Sequence, residues 1–259
     1  MSDDEPVDLR VLWDFDDPAG SEARFRDLAD RSSGEQRELA LSQVARALSL
    51  QERFEEAYAV LDDLGWPSPE VQARRFLERG RLHRAAGDPE AAAEPFIAAA
   101  LRAAGAGLEE LHVDALHMLA LVAPPEERVH AHEVALAIAR AATDPRARDW
   151  DASLLNNLGM VHAEEGDLGR ALETFEQALA ARERIGDPAR TRVARWMIAW
   201  TLRQLGRLDE ARAIQLTLRE EHRAAGTSDV YVEEELALLE PSAGSTPGPG
   251  PTEGATPER

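Results

Sequence analysis

The feature that most constrains this chain is a pair of apolar-periodic segments that flank a short turn, in residues 151–186. The stretch reads DASLLNNLGMVHAEEGDLGRALETFEQALAARERIG. Apolar residues recur every three or four positions on both sides of the turn, which is the period of an amphipathic helix. Gly159 and Ala171 are small where the helices must approach, and Phe175 is large where the space between them must be filled. The stretch therefore predicts two helices folded back on each other as a hairpin.

This unit recurs along the chain at a nearly constant spacing. The small residue that corresponds to Gly159 returns at Ala45, Gly80, Ala120 and Ala199, with successive gaps of 35, 40, 39 and 40 residues. The alanine that corresponds to Ala171 returns at Ala57, Ala92 and Ala211. The third unit departs from the pattern, because its turn contains Pro124 and Pro125 and its second helix is expected only from Glu133 to Ala142. Repetition at this period indicates stacked repeats that pack on their neighbours.

The residues that repeat resemble a known signature. Leu158, Gly159, Ala171, Phe175 and Ala178 have the spacing of the tetratricopeptide repeat (TPR), while Leu155 and His162 replace its usual Trp and Tyr. The resemblance implies an all-α fold, a right-handed α-solenoid of stacked antiparallel helix hairpins. It also implies that the first helices of successive hairpins line a concave groove, in which ligand peptides of such proteins usually lie.

The same register predicts the organisation of the chain. Residues 1–33 are expected to form a disordered acidic start and an N-terminal capping helix with Ser21 as its N-cap, against which Trp13 and Phe15 pack. The solenoid is expected over 34–240, with hairpins at about 34–66, 69–105, 108–142, 145–186 and 188–226 and a C-terminal capping helix at 229–240. Residues 241–259 are rich in Pro, Gly, Ser and Thr, which predicts a disordered tail.

The composition argues against catalysis and cofactors. The 259 residues contain neither Cys nor Lys, which removes thiol nucleophiles, thiolate metal sites and lysine chemistry. No nucleophile elbow or phosphate-binding loop occurs in the sequence. His130 and His132 are two positions apart and would point to different faces of a helix, which does not favour a shared metal ion. We therefore expect a protein that is not an enzyme and that has no metal or cofactor.

The net charge of −20 limits the partners that the chain can take. An acidic surface argues against non-specific nucleic-acid binding and against docking on anionic membranes. The N-terminus has no apolar signal region, and no apolar run of about 18 residues is present, so no transmembrane helix is expected. Abundant Ala, Arg, Glu and Leu without Lys or Cys is typical of a GC-rich bacterium. We expect a bacterial, cytoplasmic protein.

The resemblance also carries groove positions onto this sequence, and these positions are rich in arginine despite the acidic chain. Arginine forks suit carboxylates, an asparagine amide can pair with a peptide backbone, and tryptophan rings grip apolar side chains. The predicted partner is a protein or peptide, with an acidic or C-terminal segment that lies in the groove. The predicted groove residues are Arg46, Arg74, Arg81, Arg84, His117, Asn156, Trp196, Trp200 and Arg203.

Other interpretations stay open at this point. The arginines could pair with neighbouring glutamates, and Trp196 and Trp200 could pack against the C-terminal helix. Asn156 and Asn157 could cap or cross-link neighbouring helices. Instead of a peptide-binding scaffold, the chain could be a self-associating solenoid, a homo-oligomer driven by exposed leucines at 236, 238 and 239. It could also be a regulatory module that senses a peptide or another small ligand, although the sequence shows no output domain.

Overall fold

The computed structural model describes residues 7–66 and 68–240, and within these ranges every regular element is helical. The predictions made for residues 1–6 and 241–259, disorder included, lie outside the described residues. The chain divides into two compact units, Met1–Ala194 and Arg195–Arg259, and each is taken by itself below. The all-α expectation is confirmed for the residues that the structure describes.

The first unit is a succession of helix hairpins. A short 3-10 turn at Leu9–Leu12 precedes the helices, and another at Pro125–Glu127 precedes α7. Helices α2 and α3, α4 and α5, α6 and α7, and α9 and α10 pair as hairpins. The helices are α1 (Pro18–Arg31), α2 (Gly34–Leu50), α3 (Phe54–Asp63), α4 (Pro69–Ala85), α5 (Pro89–Gly105), α6 (Glu109–Val122), α7 (Arg128–Ala141), α8 (Pro145–Asp149), α9 (Asp151–Glu164), α10 (Leu168–Ile185) and the start of α11 (Pro188–Gln204).

Aspartate followed by proline opens several of these helices. The carboxylate of Asp88 accepts a hydrogen bond of 3.0 Å from the backbone N–H of Ala91, and Asp144 accepts one of 2.9 Å from that of Arg146. The proline that follows needs no partner for a missing N–H and has a helical φ. The same arrangement places the start of α1 at Pro18, because Asp17 is its N-cap. The expected N-cap, Ser21, is instead buried within α1.

The third hairpin also differs from the expectation. Helix α7 begins at Arg128, five residues earlier than Glu133, because the 3-10 turn that starts at Pro125 leads directly into it. A five-residue helix, α8, begins at Pro145 and α9 follows it as a separate helix, whereas the sequence predicted hairpin four over about 145–186 without this break. The alanine of α8, Ala147, is fully buried in the core that α7 and α9 share. The diproline turn therefore changes the helix boundaries and leaves the repeat intact.

The inside of a hairpin is filled as the repeat pattern predicts. A Cβ atom placed on Gly159 would lie 2.6 Å from a ring carbon of Phe175, and one placed on Gly80 would lie 2.4 Å from a ring carbon of Phe96. Real Cβ atoms do not approach other atoms so closely, and both phenylalanines are fully buried. Glycine is therefore required wherever a phenylalanine on the second helix faces the first helix.

The second unit contains the remainder of α11, from Arg195, together with α12 (Leu208–Ala224) and α13 (Val230–Leu238). Leu218 of α12 packs with Val232 and Leu236 of α13. Leu236 and Leu239 are each only 7% exposed, so two of the three leucines expected to drive self-association are buried in the monomer, and Leu238 is exposed. That expectation of three exposed leucines is wrong, because α13 turns its apolar face inward.

Candidate functional site

The surface formed by the side chains of α2, α4, α6 and α9 is called the first-helix face here, because each helix is the first of its hairpin. Six of the nine predicted groove residues are on these helices, and the other three are in the second unit. Those on the first-helix face are Arg46, Arg74, Arg81, Arg84, His117 and Asn156.

Arg81 is the centre of a buried ion-pair cluster that joins α4 to α6. Its Nη2 atom lies 2.6 and 2.7 Å from the two carboxylate oxygens of Asp114, and its Nη1 atom lies 2.6 Å from Oε1 of Glu78. The side chains of Arg81 and Asp114 are 13% exposed, and that of Glu78 is 2% exposed. Arg81 is therefore a structural cation that already has two carboxylate partners.

The electrostatics of the cluster favour its charged form. Burial alone would raise the pKa of Asp114, but the positive charges of Arg81 and Arg46 outweigh burial and hold the pKa below its usual range. Burial would likewise lower the pKa of Arg81, and the charges of Asp114 and Glu78 raise it instead. Each charge thus stabilises its neighbours, and removal of one leaves another buried without compensation.

His117 of α6 makes a second polar contact between first helices, this time with α9. Its Nε2 atom lies 2.8 Å from Nδ2 of Asn157, and its ring centroid lies 5.1 Å from that of Trp150. An amide NH₂ donates, so Nε2 accepts and the ring proton is on Nδ1, which has no hydrogen-bond partner among the described residues. Burial lowers the pKa of His117 to about 4. His117 is therefore a neutral imidazole at pH 7.

Arg84 and Asn156 differ from the other predicted residues of this face because their side chains form no hydrogen bond or ion pair with the described chain. The side chain of Arg84, in the last turn of α4, is exposed, and that of Asn156 is half-buried. A guanidinium on α4 and an amide on α9 are thus left with free donors on the same face as the buried cluster.

The remaining arginines of the face are occupied. Arg74 pairs with Glu70 of its own helix at 2.9 Å and lines a polar cleft of about 460 Å³ together with Glu110 and Asp144. Arg46 lies against aromatic rings, with its guanidinium carbon 5.4 Å from the ring centroids of both Trp13 and Phe15. The interpretation in which arginines pair within the chain therefore describes Arg74 and Arg81, and Arg46 is covered by the N-terminal segment.

The second unit contains the other three predicted residues. Trp196 packs with Leu218, Val232 and Leu236, and its ring centroid lies 6.2 Å from that of Tyr231. Arg203 forms a two-pronged pair with Glu235 of α13, at 2.7 and 2.8 Å. Trp200 is half-buried. Trp196 and Arg203 thus hold the C-terminal helix, which is the alternative that the sequence left open for the tryptophan.

Asn157 makes the kind of cross-link between helices that the sequence left open for Asn156 and Asn157, because its amide bonds His117 of α6. Two other residues of the face were not anticipated. Gln43 and Glu110 receive hydrogen bonds from Trp13 and Arg10 of the N-terminal segment. The only available signal was position, since Gln43 precedes the predicted groove residue Arg46 by three and Glu110 precedes the predicted groove residue His117 by seven, which is helical spacing.

Within residues 7–66 and 68–240, no three His, Asp or Glu side chains come together in a way that could hold a metal ion. In the same ranges, no helix is both long enough and apolar enough to span a membrane.

Comparisons with known proteins locate the repeats and the fold. Residues 150–217 match the family model described as tetratricopeptide repeat, so hairpin four and most of hairpin five carry this repeat. A search of curated protein sequences finds no match for the chain.

Solved structures with the same fold are distant in sequence. BtubC from P. vanneervenii is 19% identical, with 98% of this chain and 99% of BtubC covered and a TM-score of 0.58. The apo form of the quorum sensor NprR from B. thuringiensis is 16% identical, with 89% of this chain and 65% of NprR covered and a TM-score of 0.63. NprR in complex with its cognate peptide NprX is 16% identical, covers 89% and 67%, and has a TM-score of 0.51. These similarities show a TPR-like fold of stacked helix hairpins.

Proposed function

We propose that this chain is a non-catalytic scaffold that binds a peptide or protein segment along the first-helix face of its first unit. The single observation that carries the proposal is the pair of free polar groups on that face, the exposed guanidinium of Arg84 and the amide of Asn156. Both are on first helices, whereas the arginines around them are engaged. A cytoplasmic location and the absence of catalysis belong to the same proposal.

The chemistry of the two groups defines the segment that would bind. An arginine fork binds a carboxylate, either of an acidic side chain or of a C-terminus, more strongly than it binds a neutral acceptor. An amide can donate to and accept from one peptide unit of an extended backbone. The buried cluster of Arg81, Asp114 and Glu78 supports this surface because it fixes α4 against α6. NprR, which shares the fold, has been solved with a peptide bound, and this supports a peptide as the partner class.

The test is a selection of random displayed peptides on the immobilised full chain, followed by titration of the enriched peptides by fluorescence anisotropy. The variant is Arg84→Glu with Asn156→Ala, and we expect it to weaken binding by about ten-fold or more, since a charge-assisted hydrogen bond and a neutral one are both lost. Circular dichroism should show unchanged helix content, because neither side chain has a partner within the described chain. Equal binding by wild type and this variant would refute the proposed site.

The matched control is Arg140→Glu with Gln177→Ala, which also changes one arginine and one amide. These two exposed residues are on the second helices α7 and α10 and bond each other at 3.1 Å. They line a cleft of about 280 Å³ that is also formed by Leu136 and Leu155. We expect the control to bind peptides as wild type does. Loss of binding in the control alone would move the site to that cleft.

A further inference from the structure

The N-terminal segment Val7–Phe15, called the strap here, lies on the first-helix face. Its two aromatic residues stack on each other, with ring centroids 4.8 Å apart and planes within 2° of parallel. The indole N–H of Trp13 donates to Oε1 of Gln43 at 3.0 Å, and Arg46 lies beside both rings. This end of the strap therefore covers the two polar groups that α2 presents on the face.

The other end of the strap reaches the third hairpin. Nη1 of Arg10 lies 3.3 Å from Oε1 of Glu110, at the start of α6, and Oδ2 of Asp8 lies 3.6 Å from Nη2 of Arg146, on α8. Asp8 also pairs with Arg10 at 3.0 Å, and this hydrogen bond lowers the pKa of Asp8. The strap thus extends from α2 to α6 and α8, so it covers much of the face on which a peptide would lie.

The strap is held by contacts of two strengths. Leu9, Leu12 and Trp13 are partly buried against the core of α1 and α2 and anchor the segment. The backbone of Leu12 and Asp14 is also bonded to Arg24 and Ser21 of α1, at 2.8 Å each. By contrast, the pairs of Arg10 with Glu110 and of Asp8 with Arg146 join side chains that are 39–57% exposed, and Val11 is 75% exposed. Exposed ion pairs each change an equilibrium by about five-fold or less. The end at Asp8 and Arg10 is thus held only by weak pairs, whereas the aromatic end leaves the face only when the contacts of Trp13 are given up.

We propose that the strap is an internal ligand that competes with peptides for the first-helix face. The inference rests on the proposed function and names the partner class: an extended peptide with two aromatic residues separated by one position and flanked by carboxylates, as in Trp13-Asp14-Phe15. The aromatic pair of such a peptide stacks beside Arg46, and an indole N–H bonds Gln43. Because the face is open only in molecules whose strap has left it, the apparent affinity is reduced by the open fraction.

The probe is a fluorescein-labelled peptide with the sequence of residues 7–17, VDLRVLWDFDD, titrated into the full chain and read by anisotropy. The released variant is Trp13→Ala with Phe15→Ala, and the control is Val11→Ala, an exposed residue of the same segment. We expect the probe to bind the released variant about ten-fold or more tightly than it binds wild type or the control, since loss of the aromatic contacts raises the open fraction. A probe with both aromatic residues changed to alanine should not bind.

A milder variant and a lock complete the experiment. Arg10→Glu removes the exposed pairs of Arg10 with Glu110 and Asp8 and should strengthen probe binding about two- to five-fold without affecting the core. Because the chain has no cysteine, Arg10→Cys with Glu110→Cys can be joined selectively by a short bismaleimide. The joined protein should not bind the probe, whereas the same variant left unjoined should bind it.

The outcomes separate this inference from the proposed function. Two results would overturn the proposal that the strap competes with peptides. One is equal probe affinity for the wild-type, released and locked proteins, and the other is no probe binding by the folded released variant. The selected peptides could bind the wild-type and released proteins equally and bind the Arg84/Asn156 variant more weakly. The proposed function would then stand, and competition by the strap would be refuted. Conversely, the probe could bind the released variant while the Arg84/Asn156 variant binds every peptide as tightly as wild type does. Competition by the strap would then stand, and the proposed site at Arg84 and Asn156 would be refuted.

Discussion

The inside of a hairpin and the junction between two hairpins are built from different contacts. Inside hairpins two and four, glycine on the first helix faces phenylalanine on the second, at Gly80 with Phe96 and Gly159 with Phe175. In hairpin one, the corresponding residues are Ala45 and Leu61, which belong to one buried cluster. At the junctions, the first helices add polar pairs, Arg81 with Asp114 and His117 with Asn157.

The difference shows two ways of specifying a stack of similar units. The apolar contacts are matched by size, so that a larger residue on one helix is accompanied by a smaller residue on the other. The polar contacts are matched by charge and by donor and acceptor, so that each is costly to break from one side. We therefore expect a substitution inside a hairpin to be rescued by a compensating change of side-chain volume on the facing helix. A substitution at a junction should be rescued only when every polar partner of the substituted residue is also replaced.

The largest effect is expected at the junction of α4 and α6. Asp114→Ala leaves Arg81 buried with one carboxylate partner in place of two, and we expect the free energy of unfolding to fall by about 3–5 kcal/mol. Replacement of all three residues, as Glu78→Leu with Arg81→Met and Asp114→Leu, should recover much of this loss, because Glu78 is then not left buried without its cation. Urea unfolding followed by circular dichroism measures both. A matched control is Asp27→Ala, whose partner Arg31 is exposed, and it should change stability by about 1 kcal/mol or less.

The next effect is expected inside hairpin four. Gly159→Leu forces a side chain into the space that Phe175 fills and should cost about 3 kcal/mol, since a packed interior resists added volume. Gly169→Leu, at an exposed position of α10, is the control and should leave the melting temperature close to that of wild type. Gly159→Ala with Phe175→Leu recreates the pair found in hairpin one and should be more stable than Gly159→Ala alone. Failure of this rescue would contradict size matching.

A smaller effect is expected from His117 as pH falls. Its pKa is lowered from 6.5 to about 4 in the folded chain, mainly by burial. Between these values the unfolded chain binds a proton that the folded chain does not, so stability decreases on acidification. From pH 7 to pH 5 this amounts to about 2 kcal/mol. His117→Gln should show a flatter pH dependence of urea unfolding. An identical dependence in both proteins would mean that His117 is not the group that titrates.

The smallest effect is a gain of stability at Gln215, which breaks the rule for the inside of a hairpin. In the register of Ala211, it occupies the position that corresponds to Phe175. Gln215 is fully buried, and neither Oε1 nor Nε2 has a hydrogen-bond partner within the described residues. Gln215→Leu should raise the free energy of unfolding by about 1 kcal/mol, because an unsatisfied amide is removed from the interior. A loss of stability would indicate that the amide has a partner in solution.

Much of the fold could be predicted because the size-matched contacts repeat with the sequence. Gly80 and Gly159 recur at the same point of the hairpin as Ala45 and Ala120, and this recurrence identified the hairpins without any structure. The Asp-Pro pairs at 144–145 and 187–188 stand where helices begin, and such a capping motif is local enough to be recognised in a sequence. The break between α8 and α9 was not predicted, because five residues are too few to establish a helical period.

The candidate site was less predictable, because its contacts are not local. Whether Arg81 is free or paired depends on a side chain 33 residues away, and the periodicity gives the face of a helix but not the direction of each long side chain. Asn157 rather than Asn156 bonds His117 for the same reason, since adjacent residues of a helix differ in direction by about 100°. The strap has no repeat, so no periodic signal placed it on the face.

The polar pairs at the junctions also depend on the order of the hairpins. Arg81 meets Asp114 because hairpin three follows hairpin two, whereas the residue at the same place in hairpin four is Ser153. If hairpin three were deleted, or if two molecules exchanged hairpins out of sequence, Arg81 would face a serine hydroxyl in place of Asp114 and would keep only Glu78 as a carboxylate partner. Such arrangements would be penalised even though the apolar surfaces of the hairpins are nearly interchangeable. The polar pairs thus favour the native order of the hairpins, which the similar apolar surfaces alone would not specify.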